Sequence, residues 1–144
     1  MNNKFIGLLF SCLFLTACST LPVDDVKRKE LPDDRKLAFK SLTDVNNAKI
    51  IVTRDSGFVA SACYYGFWVD GTLAGRFAPK ESAAFYVPSG ERVFKFGRDP
   101  NGKGACSLDK KIGNQIETIV DEKVVKSYRL TLDGSGFPSI QRDN

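Results

Sequence analysis

Cys63-Tyr64-Tyr65-Gly66-Phe67-Trp68-Val69-Asp70-Gly71-Thr72-Leu73-Ala74-Gly75 decides the fold of this chain. Successive side chains of a strand point to opposite faces. One face here carries Cys63, Tyr65, Phe67 and Val69, the other Tyr64, Gly66 and Trp68. The first set is the core face. Asp70-Gly71 then turns the chain back, because glycine supplies the positive φ that a primed two-residue hairpin turn requires.

The same grammar runs outward in both directions. Short runs rich in Val, Ile, Phe and Tyr, separated by Gly, Pro, Asn and Asp, predict strands over 48–54, 62–70, 72–78, 83–87, 92–97, 115–120, 124–133 and 137–141. Pro88-Ser89-Gly90 forms a second tight turn. Phe94 and Phe96 share a face, with Val93 and Lys95 opposite. Val124, Tyr128, Leu130 and Leu132 form an apolar row that Lys126 interrupts, leaving Val125, Ser127, Arg129 and Thr131 toward water. No stretch after residue 48 has a 3.6-residue apolar period. The reading is an all-β fold: an antiparallel β-sandwich of seven to eight strands over residues 47–144.

The chain upstream reads differently. Lys4 is the charge of a short n-region, Phe5 to Leu15 are apolar, and Leu15-Thr16-Ala17-Cys18 closes the run. An h-region of this length fits a secretory signal, whereas a spanning helix needs roughly 20 apolar residues. Leu15-Thr16-Ala17-Cys18 resembles a bacterial lipobox. The resemblance implies that residues 1–17 are a signal peptide and that Cys18 is acylated as the first mature residue. It also implies, from Ser19 after the cysteine, an outer-membrane location facing the periplasm. Stable attachment takes more than one acyl chain, which a diacylglyceryl cysteine supplies. Residues 18–46 are then the lipidated N-terminus and a flexible tether. Val23 to Glu30 is charge-dense, and Pro22 and Pro32 break any long helix. Lys36 to Leu42 forms a helical turn or packs on the domain edge. A tether of this length reaches about 30 Å as a random coil.

Charge and cysteines narrow the function classes. The formal charge is +4 in the full chain, and losing Lys4 with the signal lowers it by one. Basic and acidic residues are interleaved, so this is not a nucleic-acid-binding composition. Cys12 leaves with the signal and Cys18 goes to lipid. Cys63 and Cys106 remain, a pair in an oxidising compartment, and a disulfide is the default reading. Such a bond closes a loop for which the chain-entropy account gives about 4 kcal/mol. A reactive thiol or a metal site are the alternatives. The metal reading is poorly supported, since the chain has no histidine and only these two thiols.

The hairpins carry a further resemblance. Phe67 to Gly75, followed by Phe85-Tyr86-Val87-Pro88-Ser89-Gly90-Glu91, is similar to PEGA-like β-sandwich modules of bacterial envelope lipoproteins, over roughly residues 48 to 100. The resemblance implies an immunoglobulin-like or prealbumin-like sandwich in a display or accessory role, with no catalytic residues. The absence of histidine also removes Ser-His-Asp and Cys-His systems, so the chain reads as non-catalytic, without cofactor or metal. Two features could bind a partner, either an envelope protein or a glycan. Tyr64 and Trp68 share the wetter face of their strand and could form an aromatic platform. Arg98 to Cys106 is a glycine-rich loop whose Arg98 and Lys103 could hold an anion, against the plainer reading of a β-turn at Pro100-Asn101-Gly102. The expected function is a lipid-anchored binding or structural module. The alternative is an inhibitor or immunity-type lipoprotein that presents the 98–106 loop to an enzyme.

Overall fold

The computed structural model describes residues 19–107 and 113–143, so Cys18 and the 1–17 signal reading lie outside the described residues. Nine strands form two sheets: β1 (Lys29–Glu30), β2 (Ala48–Arg54), β3 (Tyr65–Val69), β4 (Thr72–Phe77), β5 (Glu81–Val87), β6 (Gly90–Arg98), β7 (Gln115–Val120), β8 (Lys126–Leu132) and β9 (Pro138–Asp143). One sheet has the order β1-β5-β2-β8-β9 and the other β4-β3-β6-β7. The all-β sandwich expected from the alternation is the fold. Two of its pairings, β1 with β5 and β2 with β8, are parallel. Among the described residues no helix is long and apolar enough to cross a membrane.

The core is an aromatic layer between the sheets. Tyr65, Phe67, Phe94 and Phe96 come from one sheet, and Ile50, Val52, Phe85, Tyr128 and Leu130 from the other; all are buried. Phe67 meets Phe94 with ring centroids 5.4 Å apart, and Phe94 meets Tyr128 edge-on at 5.1 Å. Each such pair adds about 0.5–1.5 kcal/mol beyond the area it buries. Cys63, Tyr65, Phe67 and Val69 are all buried, so the alternation assigned that face correctly.

Three local expectations are corrected. The strand expected over 62–70 begins only at Tyr65. Residues 57–63 coil instead, with Ser61 N–H donating to the Phe58 carbonyl and Cys63 N–H to the Ala60 carbonyl. Val124 leaves the core row: it lies in a turn, half-exposed, and is bridged to Asp121. Thr131 was expected in water and is buried instead, where β9 covers it.

The largest correction concerns the tether. Residues 20–46 are not a free linker but a strap along the open side of the sandwich, where β5 and β4 are the exposed edges. The Thr20 hydroxyl both donates to the Leu132 carbonyl at 3.1 Å and accepts its N–H at 2.9 Å. Leu21 exchanges two backbone hydrogen bonds with Ser56. β1 pairs with β5, Leu31 is buried against Gly75, and Leu37 and Ala38 both donate to the Ala74 carbonyl. Arg35 makes a bidentate ion pair with Glu81 at 2.6 and 2.5 Å. Pro22 and Pro32 allow only a short 3-10 turn over Asp25–Lys27 between them and leave extended backbone free to satisfy sheet edges, which would otherwise expose unpaired N–H and C=O groups.

Register sorts the connections into two ends. Asp70-Gly71, Pro88-Ser89 and the 121–125 turn lie at one, together with the start of β2. The 55–64, 78–80, 99–107 and 133–137 connections lie at the other, where Thr20 enters.

Candidate functional site

The outer face of the four-stranded sheet carries the aromatic pair. Gly66 lies opposite Gly97 across β3 and β6, and Trp68 lies opposite Lys95. The two glycines make a floor for the indole. A Cβ on Gly66 would come within 2.4 Å of the Trp68 ring, so any larger residue there would lift the ring off the sheet. Lys95 Nζ sits 5.3 Å from the ring centroid on this half-buried tryptophan, a cation–π contact. Tyr64 is 46% exposed, and the Arg35 guanidinium stacks 4.4 Å from its ring centroid.

Charges around this face are largely matched. Glu81 holds Arg35, and that hydrogen bond raises the guanidinium's pKa above its ordinary value. Arg76, opposite Gly66 on β4, pairs with the buried carboxylate of Asp99 at 3.1 Å. The result is two part-exposed aromatic rings, each with a cation over it, Arg35 on Tyr64 and Lys95 on Trp68. Chemically it can stack against a planar or sugar-like apolar face and offer N–H donors beside it.

The four candidate binding residues do not converge. Tyr64 and Trp68 share the outer face. Arg98 lies opposite Tyr65, with its guanidinium 5.4 Å from the core-side Tyr65 ring. Lys103 is exposed in the loop beyond it. The 98–106 segment is a turn, with Gly102 N–H donating to the Asp99 carbonyl and Asn101 N–H to the Asp99 carboxylate. A short 3-10 turn over Gly104–Ser107 follows. Cys106 is joined to Cys63 by a disulfide with Cα atoms 5.5 Å apart. Among the described residues no group of three or more His, Cys, Asp or Glu side chains could hold a metal ion.

Two residues that shape this surface and the loop beside it escaped the sequence reading. Lys95 reaches Trp68 only through the β3–β6 register, which no local pattern encodes. Arg54 ends the strand expected over 48–54, and it is 1% exposed. It donates to the carbonyls of Cys63 and Phe77 at 2.7 Å each and of Ala60 at 3.1 Å. Burial lowers its pKa to about 10, with nearby Tyr65 and Glu81 acting against the shift. Arg54 thus organises the 57–63 loop from beneath. Asp55 beside it is buried too, held by Arg129 at 2.6 Å.

Comparison with known proteins returns no matching family model, no similar curated protein and no similar solved structure.

Proposed function

We propose that this protein is a lipid-anchored module of the bacterial cell envelope, non-catalytic, which binds a protein or glycan partner through its Tyr64–Trp68 face. The observation that carries this reading is Leu15-Thr16-Ala17-Cys18 at the end of a signal-like apolar run. The Cys63–Cys106 disulfide supports it, because such bonds persist in oxidising compartments. The likeness of its Asp-Gly and Pro-x-Gly turns to those of PEGA-like modules supports a display role, although the second turn crosses between the sheets instead of closing a hairpin. The inhibitor alternative draws less support, since the 98–106 loop shares an end of the sandwich with the point where the chain enters.

Fractionation tests the anchor. The native protein should sediment with membranes and carry acyl mass on Cys18, and Cys18→Ser should yield an unprocessed or soluble form. Unchanged fractionation of Cys18→Ser overturns the reading. Crosslinking in intact envelopes tests the face: Trp68→Ala should remove partner adducts that Lys103→Ala retains, and the reverse pattern would favour the loop.

A further inference from the structure

The strap changes what an anchor on Cys18 would do. Thr20 is fixed to Leu132 through both its hydroxyl and its backbone N–H, and Leu21 is fixed to Ser56. Only Ser19 separates Cys18 from this clamp. Two residues span at most about 7 Å even when fully extended. An acylated Cys18 therefore cannot hold the body at tether's length; it draws one particular end of the sandwich down to the headgroups.

That end is built for the contact. Phe58 is 97% exposed at the tip of the 57–63 loop, Leu21 is 64% exposed, and Phe137 is 41% exposed. Gly136, beside Phe137, lies against Val59, which brings the two loops together. Ser19, Thr20, Leu21, Phe58 and Val59 line one groove of about 740 Å³, and Lys29 and Lys80 stand on its wall. Lys29 N–H donates to the Lys80 carbonyl, which keeps these two cations adjacent. An exposed aromatic tip flanked by lysines matches a bilayer interface, where rings settle at headgroup depth and cations meet anionic lipid. The tip is not a loose loop, since Arg54 grips the carbonyls of Ala60 and Cys63 behind it. Of the acidic groups described at this end, Asp55 and Asp99 are buried against Arg129 and Arg76, and Asp133 is turned into its own loop by bonds from Ser135 and Phe137.

We infer that the Phe58 end of the sandwich is a membrane-docking surface for an anionic bilayer. The body sits directly on the leaflet that holds its acyl chains, with the Asp70-Gly71 hairpin and the Pro88-Ser89 crossing between the sheets pointing away. This rests on the proposed acylation of Cys18. The Trp68 face then stands roughly along the membrane normal and stays open to a partner from the side.

Full-length acylated protein reconstituted into vesicles of phosphatidylethanolamine and phosphatidylglycerol with brominated chains tests this. Trp68 is the chain's single tryptophan, and Phe58→Trp adds a second at a site with no packing to disturb. The added emission should be largely quenched, while Trp68 in the native chain should not be. Lys29→Glu with Lys80→Glu should weaken the quenching, and so should vesicles lacking phosphatidylglycerol. Protein that lacks acyl mass or washes off the vesicles would bring down the anchor reading and this inference together. Acylated, retained protein with an unquenched indole at position 58 would overturn the docking alone. So would a crosslinked dimer that shields that position. Quenching of Trp68 in the native chain would mean that the body lies on its sheet face, and would overturn the orientation.

Discussion

At one end of the sandwich the strands are joined by Asp70-Gly71, Pro88-Ser89 and the 121–125 turn; at the other the chain runs through 55–64, 78–80, 99–107 and 133–137. The short end is held by backbone conformation, with exposed side-chain bonds added: Asp70 accepts from Arg92 and the Val93 N–H, and Asn47 accepts from the Ser89 N–H. Asp70 and Gly71 have φ of 47° and 81°, a primed turn that sets the pairing of β3 with β4 as far as Trp68, beyond which the register shifts. The long end has no such local code and is held by side chains acting over distance: a disulfide, the buried Arg54 and the Asp133 carboxylate. Long loops cost more entropy to close but present more surface, and functional surface concentrates on such loops.

The disulfide should matter most to this contrast. Cys63→Ser and Cys106→Ser should each lower stability by about 4 kcal/mol, read by denaturant melts under non-reducing conditions. The double variant should be no worse than either single one, because one bond is lost in all three. Additive losses would break the comparison, since the two thiols would then be acting separately. Arg54→Met should follow. It takes the guanidinium donor from the carbonyls of Cys63 and Phe77 and leaves that of Ala60 with the Cys63 N–H alone, a cost of about 3 kcal/mol. Limited proteolysis should then cut within 56–64 while the hairpin end stays protected. A loss spread evenly over both ends would mean that Arg54 supports the whole core rather than its own loop. At the short end, Gly71→Ala should cost only about 1 kcal/mol. A Cβ there meets no neighbour within 4 Å, so the whole effect is conformational. Gly71→Asn should recover much of it, because asparagine tolerates the left-handed region.

The same contrast explains what the sequence made legible. Faces and hairpins follow from neighbours one to four residues apart, and Tyr65, Phe67, Phe94, Phe96 and the Asp70-Gly71 turn lie where alternation puts them. The strap was illegible for the opposite reason. Its polar run between Val23 and Glu30 looks like linker, and only the unpaired edge of β5, some fifty residues downstream, gives it a partner. Of the candidate binding residues, Trp68 lies in β3 and Tyr64 immediately before it, so sequence proximity alone keeps them near one another. Arg98 and Lys103 part from them because the end of β6 points Arg98 toward Tyr65. Lys95 and Arg54 take their roles from long-range register, to which local pattern is blind.

The weakest of the long-end devices gives the finest test. The Asp133 carboxylate accepts from the Ser135 hydroxyl and N–H and from the Phe137 N–H. These bonds, the Ser135 hydroxyl foremost, hold its pKa below the ordinary aspartate value of 3.8. A carboxylate with a depressed folded pKa contributes stability that is fully present above its unfolded pKa and is lost as pH falls through the folded one. Acidification below about pH 3.8 should therefore loosen the 133–137 loop first, seen as faster amide exchange at Ser135 and Phe137. The Asp70-Gly71 turn depends on backbone φ and should keep its protection over the same range. Asp133→Asn should abolish the pH step and leave exchange uniformly fast at those two amides. If both ends loosened together on acidification, the pH step would not belong to the 133–137 loop.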